Sequence, residues 1–220
     1  MLGGTDRAEW MRQEELKRAH PDLVRTSFGI HPWRVERLDG ASLQEEFEVL
    51  RARASGADAI GETGLDFYKK RDPTRFDLQR EAFRLHLELA RSLRKPMVLH
   101  VVAAHAEALR MVRSSRPDVP VLVHAFSGSA GDAKAWVAEG AILSFCGRLA
   151  GAGRRMTEAL LATPVHQLVF ETDAPDQAWR ADGVNEPALV GEVYRAASGL
   201  LGVPEVELRQ IVAENFAKII

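Results

Sequence analysis

Short apolar runs alternate with amphipathic stretches along most of this 220-residue chain, and that alternation leaves few architectures open. Residues 23–30, 57–61, 97–101, 119–125, 141–145 and 167–171 have the length and composition of buried strands. A seventh strand candidate begins at Met1. Residues 8–19, 43–54, 73–93, 104–113, 130–139 and 154–162 have helical patterning between them. In 73–93, Phe76, Gln79, Phe83, Leu87 and Ala90 recur at helical spacing. Strands separated by helices predict a parallel sheet closed, or nearly closed, as a barrel. After Asp173 the alternation stops. A loop over 174–185 leads to helices opened by Pro187 and Pro204, a residue that suits a first helical turn. A complete (β/α)8 barrel has eight strands and typically ~250 residues. The deficit lies at the N-terminus.

The residues at the strand ends turn this pattern towards chemistry. Gly61-Glu62-Thr63-Gly64-Leu65-Asp66, Val98-Leu99-His100, Val121-Leu122-Val123-His124 and Leu168-Val169-Phe170-Glu171-Thr172-Asp173 each set a metal-binding side chain at the end of an apolar run. In such barrels the C-terminal strand ends converge on one mouth, where catalysis is built. Imidazole nitrogen and carboxylate oxygen together suit divalent Mg, Mn, Zn or Ni. Glu62 is the candidate bridging ligand, His100 and His124 complete one ion's shell, and Asp173 serves a second ion or orients the attacking water. Two ions ~3.5–4 Å apart activate water and neutralise charge on a transferring phosphoryl group. A lone histidine at a strand end is often only a satisfied structural group. Four donors at four strand ends make a stronger case.

Composition narrows the classes further. The net charge of −2 provides no global basic field, so any grip on phosphate must be local. Cys146 is the only cysteine and forms no internal disulfide, which fits a reducing compartment. No apolar run approaches the ~20 residues that span a bilayer, and the first residues lack a signal peptide's charged and apolar regions. The expectation is a cytoplasmic protein without membrane contact.

The chain resembles the TatD family of metal-dependent hydrolases, within the amidohydrolase-like barrels. The motifs that carry the resemblance are Gly29-Ile30-His31-Pro32, 61–66, Gln79 with Phe83, 96–100, His124-Ala125-Phe126-Ser127-Gly128-Ser129 and Glu171-Thr172-Asp173-Ala174-Pro175-Asp176, in family order. The resemblance implies one hydrolase domain over 1–220 and a metal-dependent phosphodiesterase of the deoxyribonuclease type. It assigns Glu62, His100, His124 and Asp173 as metal ligands for up to two ions. Asp173 and His31 are its catalytic residues, with His31 near the substrate.

Two departures qualify the resemblance. Family members begin with a strand carrying a His-x-His pair. The seven histidines here, His20, His31, His86, His100, His105, His124 and His166, include no such pair. The expectation is therefore a TIM-type α/β barrel lacking its first strand and helix, with one ion weakly held and activity poor. After His100 the family usually has a small residue, arginine and an acidic residue. Here Val101-Val102-Ala103 follows, which leaves substrate preference open.

Smaller signals have two readings each. Ser127 and Gly128 precede a helix whose N–H groups could hold a phosphate, against an ordinary cap by Ser129. Lys69, Lys70 and Arg71 could steer DNA or form a solvated loop. Trp33 could stack a base or pack over the rim. Asp66 fixes the loop around Glu62, and His105 reads as a solvent-side helix residue. DNA or an oligonucleotide is the expected substrate. The alternatives are hydrolysis of a small ester, lactone or amide, and an inactive truncated relative.

Overall fold

A computed structural model describes residues 1–180 and 183–220. It divides into two compact units, Met1–Val121 with Ile220, and Leu122–Ile219.

In the first unit the order is β1 (Leu2–Gly4), α1 (Arg7–Ala19), β2 (Thr26–Phe28), α2 (Pro32–Val35), α3 (Gly40–Arg53), β3 (Ala59–Asp66), α4 (Phe76–Leu93), β4 (Met97–Val102) and α5 (His105–Ser115). Each strand pairs in parallel with the next, β1 with β2, β2 with β3 and β3 with β4. Asp6 caps α1, accepting from the N–H groups of Ala8 and Glu9. The sequence offers Thr5 or Asp6 as the cap of this helix, and Thr5 does not fill that role. Its N–H and hydroxyl donate to the Glu9 carboxylate at 2.8 and 2.6 Å. α3 is capped by Asp39 and not by Ser42, whose N–H donates to Asp39 at 2.8 Å. The apolar pattern from Leu43 makes Ser42 a plausible N-cap in sequence, but the helix begins earlier, at Gly40, so the capping group lies three residues upstream.

Strand lengths depart from expectation in both directions. β2 is confined to Thr26–Phe28, because Leu23 is 83% exposed and lies outside the sheet. β3 runs on through Glu62 to Asp66, with a register shift between Ile60 and Thr63. Gly64 carries a φ of +140°, and a Cβ there would stand 2.1 Å from the His100 carbonyl oxygen. Only glycine lets β3 and β4 approach this closely.

α4 buries Gln79, Phe83, Leu87 and Ala90 of the face its spacing predicts, together with His86, whereas Phe76 at its first position is only half-buried. Each fully buried Leu or Phe contributes ~1.5–3 kcal/mol by leaving water. His86 is a satisfied core histidine. Its Nδ1 donates to the Ala82 carbonyl at 2.6 Å and its Nε2 accepts the Ile30 N–H at 3.0 Å. α4 thereby holds the backbone immediately before His31.

In the second unit β5 (Val121–His124), α6 (Ala130–Ala138), β6 (Ile142–Phe145), α7 (Arg154–Leu161), β7 (Leu168–Phe170), α8 (Val190–Leu201) and α9 (Glu205–Ala217) follow. β5 pairs in parallel with β6, and β6 with β7. Ser129 and Asp132 form a reciprocal capping box at α6, so the capping reading of Ser129 holds. Pro187 opens a short 3₁₀ turn ahead of α8, and Pro204 stands immediately before α9 without a side-chain capping bond. Asn215 of α9 donates to the carbonyls of Val165 and Leu168 at 2.7 and 2.8 Å, which ties that helix to the start of β7. Two positions of the expected 174–185 loop, Ala181 and Asp182, lie outside the described residues. Among the described residues no helix is long and apolar enough to cross a membrane.

Candidate metal centre

The first unit gathers His31, Glu62 and His100. One donor atom from each lies within 4.8 Å of the others. His31 Nε2 is 4.0 Å from Glu62 Oε2, and the two imidazole centroids are 4.3 Å apart. β1 makes room for the carboxylate: a Cβ on Gly3 would lie 1.9 Å from Glu62 Oε1. Bare backbone is what allows Glu62 its position.

Hydrogen bonds outside the cluster set how each histidine presents itself. His31 caps α2, its Nδ1 accepting the Trp33 N–H at 3.1 Å. In the neutral ring that acceptor role puts the proton on Nε2, the atom facing Glu62. His100 is the reverse. Its Nε2 lies 3.4 Å from Asp66 Oδ2, and a proton shared with that carboxylate leaves the acceptor lone pair on Nδ1. A carboxylate behind an imidazole in this manner orients metal-ligating histidines and raises their basicity. Among the described residues, this trio has the residue types and spacing of a divalent-ion site, although His31, with its Nδ1 bound to Trp33 and the proton on Nε2, is disposed as a hydrogen-bond donor beside Glu62 and His100.

Asp66 is the hub of this side. It is 2% exposed and also accepts from Trp33 Nε1 at 2.6 Å, Tyr68 N–H at 3.1 Å and Arg71 Nε at 3.3 Å. Burial pushes its pKa up, but the bonds from His100, Trp33 and Tyr68 outweigh that and lower it to about 2. Gln79 accepts the Asp66 N–H at 2.8 Å and so fixes the backbone as well. Glu36, on the far side of Arg71, is raised by burial against the pull of that guanidinium.

The second unit holds a different arrangement. His124 Nδ1 is 3.8 Å from Glu171 Oε1 and 3.9 Å from Asp173 Oδ1. Glu171 also accepts the N–H of Ala125, and burial raises its pKa, with His124 opposing and Asp173 reinforcing the rise. Asp173 accepts from Gln177 Nε2. Ala125 and Asp173 have left-handed backbone, with φ of +43° and +60°. A non-glycine residue there is strained, and such strain clusters at functional sites.

A family profile described as TatD related DNase matches residues 1–220. The chain belongs to this TatD-related family. It is 32% identical over 96% of its length to a metal-dependent hydrolase TatD of Mycobacterium tuberculosis, of which it covers 78%. It is 29% identical over its full length to a protein named 3'-5' ssDNA/RNA exonuclease TatD from Erwinia tasmaniensis, covering 86% of that protein. Among solved structures, the TatD homologue YjjV of Escherichia coli superposes with a TM-score of 0.86 at 24% identity, over 98% of this chain and 83% of that one. The last likeness shows the TIM-type α/β fold, and the family makes the chain a metal-dependent hydrolase.

Within this TatD-related chain, the expected residues fall into two groups: Glu62 and His100 with His31, and His124 with Asp173. Ser127 and Gly128 lie in the segment between β5 and α6. Three features escaped the sequence. His31 stands among the donor atoms, because the turn into α2 brings its ring over Glu62. Glu171 lies as close to His124 as Asp173 does, a placement that its position just past an apolar run already hinted at. His105 is not solvent-facing but 7% exposed at the start of α5. Cys146 is 2% exposed and its thiol is pushed up by burial, unsuited to nucleophilic attack.

Proposed function

We propose that this chain hydrolyses phosphodiester bonds of DNA, or of short oligonucleotides, with divalent metal ions as cofactors. Glu62, His100, His124 and Asp173 are the proposed metal donors for up to two ions drawn from Mg, Mn, Zn and Ni. A bound ion of this kind supplies activated water and neutralises phosphoryl charge. The chain's own groups do the rest. His31 donates from Nε2 to a phosphate oxygen, a role its Trp33-bound Nδ1 enforces. Asp66 holds His100 in the ligating tautomer, and Asp173 orients the attacking water and takes up its proton. The whole chain works as one catalytic domain, in the cytoplasm.

The observation that carries this reading is the gathering of His31, Glu62 and His100 ring and carboxylate atoms to within 4.8 Å of one another, which sets two of the proposed metal donors beside the proposed phosphate contact. The nuclease half rests on relatives named as 3'-5' ssDNA/RNA exonucleases. The test is metal analysis of the purified chain, with nucleotide release from single-stranded DNA in Mg, Mn, Zn or Ni. Metal-stimulated release supports the reading. Metal-loaded protein that leaves DNA intact, yet cleaves esters, lactones or amides in a parallel panel, would replace it.

A further inference from the structure

Among the described residues, the large aromatics exposed to solvent are Trp33 at 43% and Tyr68 at 41%. Both are tethered to one buried carboxylate. Trp33 Nε1 donates to Asp66 Oδ2 at 2.6 Å, and the Tyr68 N–H donates to Asp66 Oδ1 at 3.1 Å. The same Oδ2 is 3.4 Å from His100 Nε2. The Trp33 ring lies with its centroid 5.0 Å from that of His31 and 6.1 Å from that of His100. Arg71 covers the indole, its guanidinium carbon 4.5 Å from the ring centroid, and is itself tied to Asp66 and Glu36 at 3.3 and 3.4 Å.

This is not how a rim tryptophan is usually disposed of. Exposing an indole forfeits hydrophobic stabilisation, yet here its nitrogen, one face and its neighbouring loop are all fixed. A rigid, half-open aromatic loses little entropy when something stacks on it. Fixed aromatics beside a phosphate-handling site are how proteins hold single-stranded nucleic acid without reading its sequence.

We propose that Trp33, braced by Arg71 and flanked by Tyr68, is the stacking platform for the terminal nucleobase of a single-stranded substrate. The platform sets the adjoining phosphodiester beside His31, Glu62 and His100. The inference rests on the nuclease reading for its substrate class and adds to it a base-binding subsite indifferent to base identity. Arg71, already neutralised by two carboxylates, is a brace for the ring and not the main phosphate contact.

The test is binding without catalysis. Fluorescence anisotropy with the purified full chain in excess chelator compares a 5′-labelled thymidine oligomer with the same oligomer abasic at its 3′ terminus. The 3′ end is chosen because the named relatives degrade from it. Wild type should bind the complete strand roughly tenfold more tightly. Trp33→Leu should bring the ratio close to one, and Trp33→Phe, which keeps a ring but loses the bond to Asp66, should retain most of it. Equal affinity of wild type for both strands overturns the inference, as does a preference that survives Trp33→Leu. Loss of the preference in Phe and Leu variants alike overturns it too, because Trp33 would then act through Asp66. A base-dependent preference with no metal-stimulated cleavage would instead sink the nuclease reading and leave the subsite standing.

Discussion

The two groups of candidate ligands are built on opposite principles. Around His31, Glu62 and His100, nearly every orientation is enforced from behind: Trp33 N–H on one imidazole, Asp66 on the other, bare Gly3 backbone against the carboxylate. Around His124, two carboxylates crowd one imidazole, and the backbone at Ala125 and Asp173 is forced left-handed. The first group is preorganised before any ion arrives. The second concentrates negative charge that burial makes costly, as the raised Glu171 carboxyl records. A site of the first kind should tolerate little change at its donors. One of the second kind should be more forgiving of a neutral substitute.

The largest expected effect tests that contrast directly. Glu62→Ala removes the central carboxylate of the preorganised group and should lower kcat on single-stranded DNA by about 10³-fold, the equivalent of several kcal/mol of lost charge stabilisation. Glu171→Gln keeps an acceptor for the Ala125 N–H while discarding a charge, and should cost no more than about tenfold. Steady-state kinetics on both variants decides. Equal losses would show that the two groups do not differ in the way their geometry suggests.

The next effect lies in the framework of the first group. His86 is enclosed in the core, and burial lowers its pKa from 6.5 to about 4. The unfolded chain takes up a proton near pH 6.5, whereas the folded chain resists doing so until about pH 4. Its stabilising contribution is therefore complete above 6.5, falls as pH drops through that window, and levels off below about 4. The shift corresponds to about 3 kcal/mol. Urea titrations across this range should show wild type losing stability relative to His86→Gln. Parallel pH profiles for the two proteins would mean that His86 is not held neutral.

Asp66→Asn sharpens the comparison further. The amide has one acceptor oxygen where the carboxylate has two, so it can serve Trp33 or Tyr68 but not both, and it no longer raises the basicity of His100; metal affinity should drop about 10–100-fold. Competition against a chromophoric chelator measures it, with the unfolding midpoint as a check on the fold. Unchanged affinity would strip Asp66 of its orienting role and leave it a loop anchor.

How far the sequence carried these features depends on how local their causes are. The burial of Gln79, Phe83, Leu87 and Ala90 along α4 follows from 3.6-residue spacing alone, and it was legible. Of the donors expected at strand ends, only His124 closes its strand; Glu62 lies midway along β3 and His100 two residues before the end of β4, because pairing continues past the point where the apolar run stops. Asp39 serving as the cap in place of Ser42 was not legible, since both residue types suit an N-cap and only the chain path decides where the helix begins. The entry of His31 into the donor cluster depends on the turn into α2 and on His86 holding Ile30, a contact across 56 residues. The convergence of Trp33, Tyr68, Arg71 and His100 on Asp66 is likewise tertiary. No periodicity encodes it.

The smallest predicted effect belongs to the second group and separates two uses of one serine. Ser129 accepts the Asp132 N–H at 3.1 Å, while Asp132 accepts the Ser129 N–H at 2.8 Å and its hydroxyl at 2.7 Å. Ser129→Ala removes both bonds made by the hydroxyl, leaving only the backbone N–H to Asp132, and should cost about 1 kcal/mol of stability, read from chemical denaturation. If capping is its whole function, KM for DNA stays where it was. A rise in KM out of proportion to the stability loss would mean that the segment from Ser127 through Ser129 also receives a phosphate. The loosely constrained half of the molecule would then contribute to substrate binding through its backbone, while the preorganised half contributes through fixed side chains.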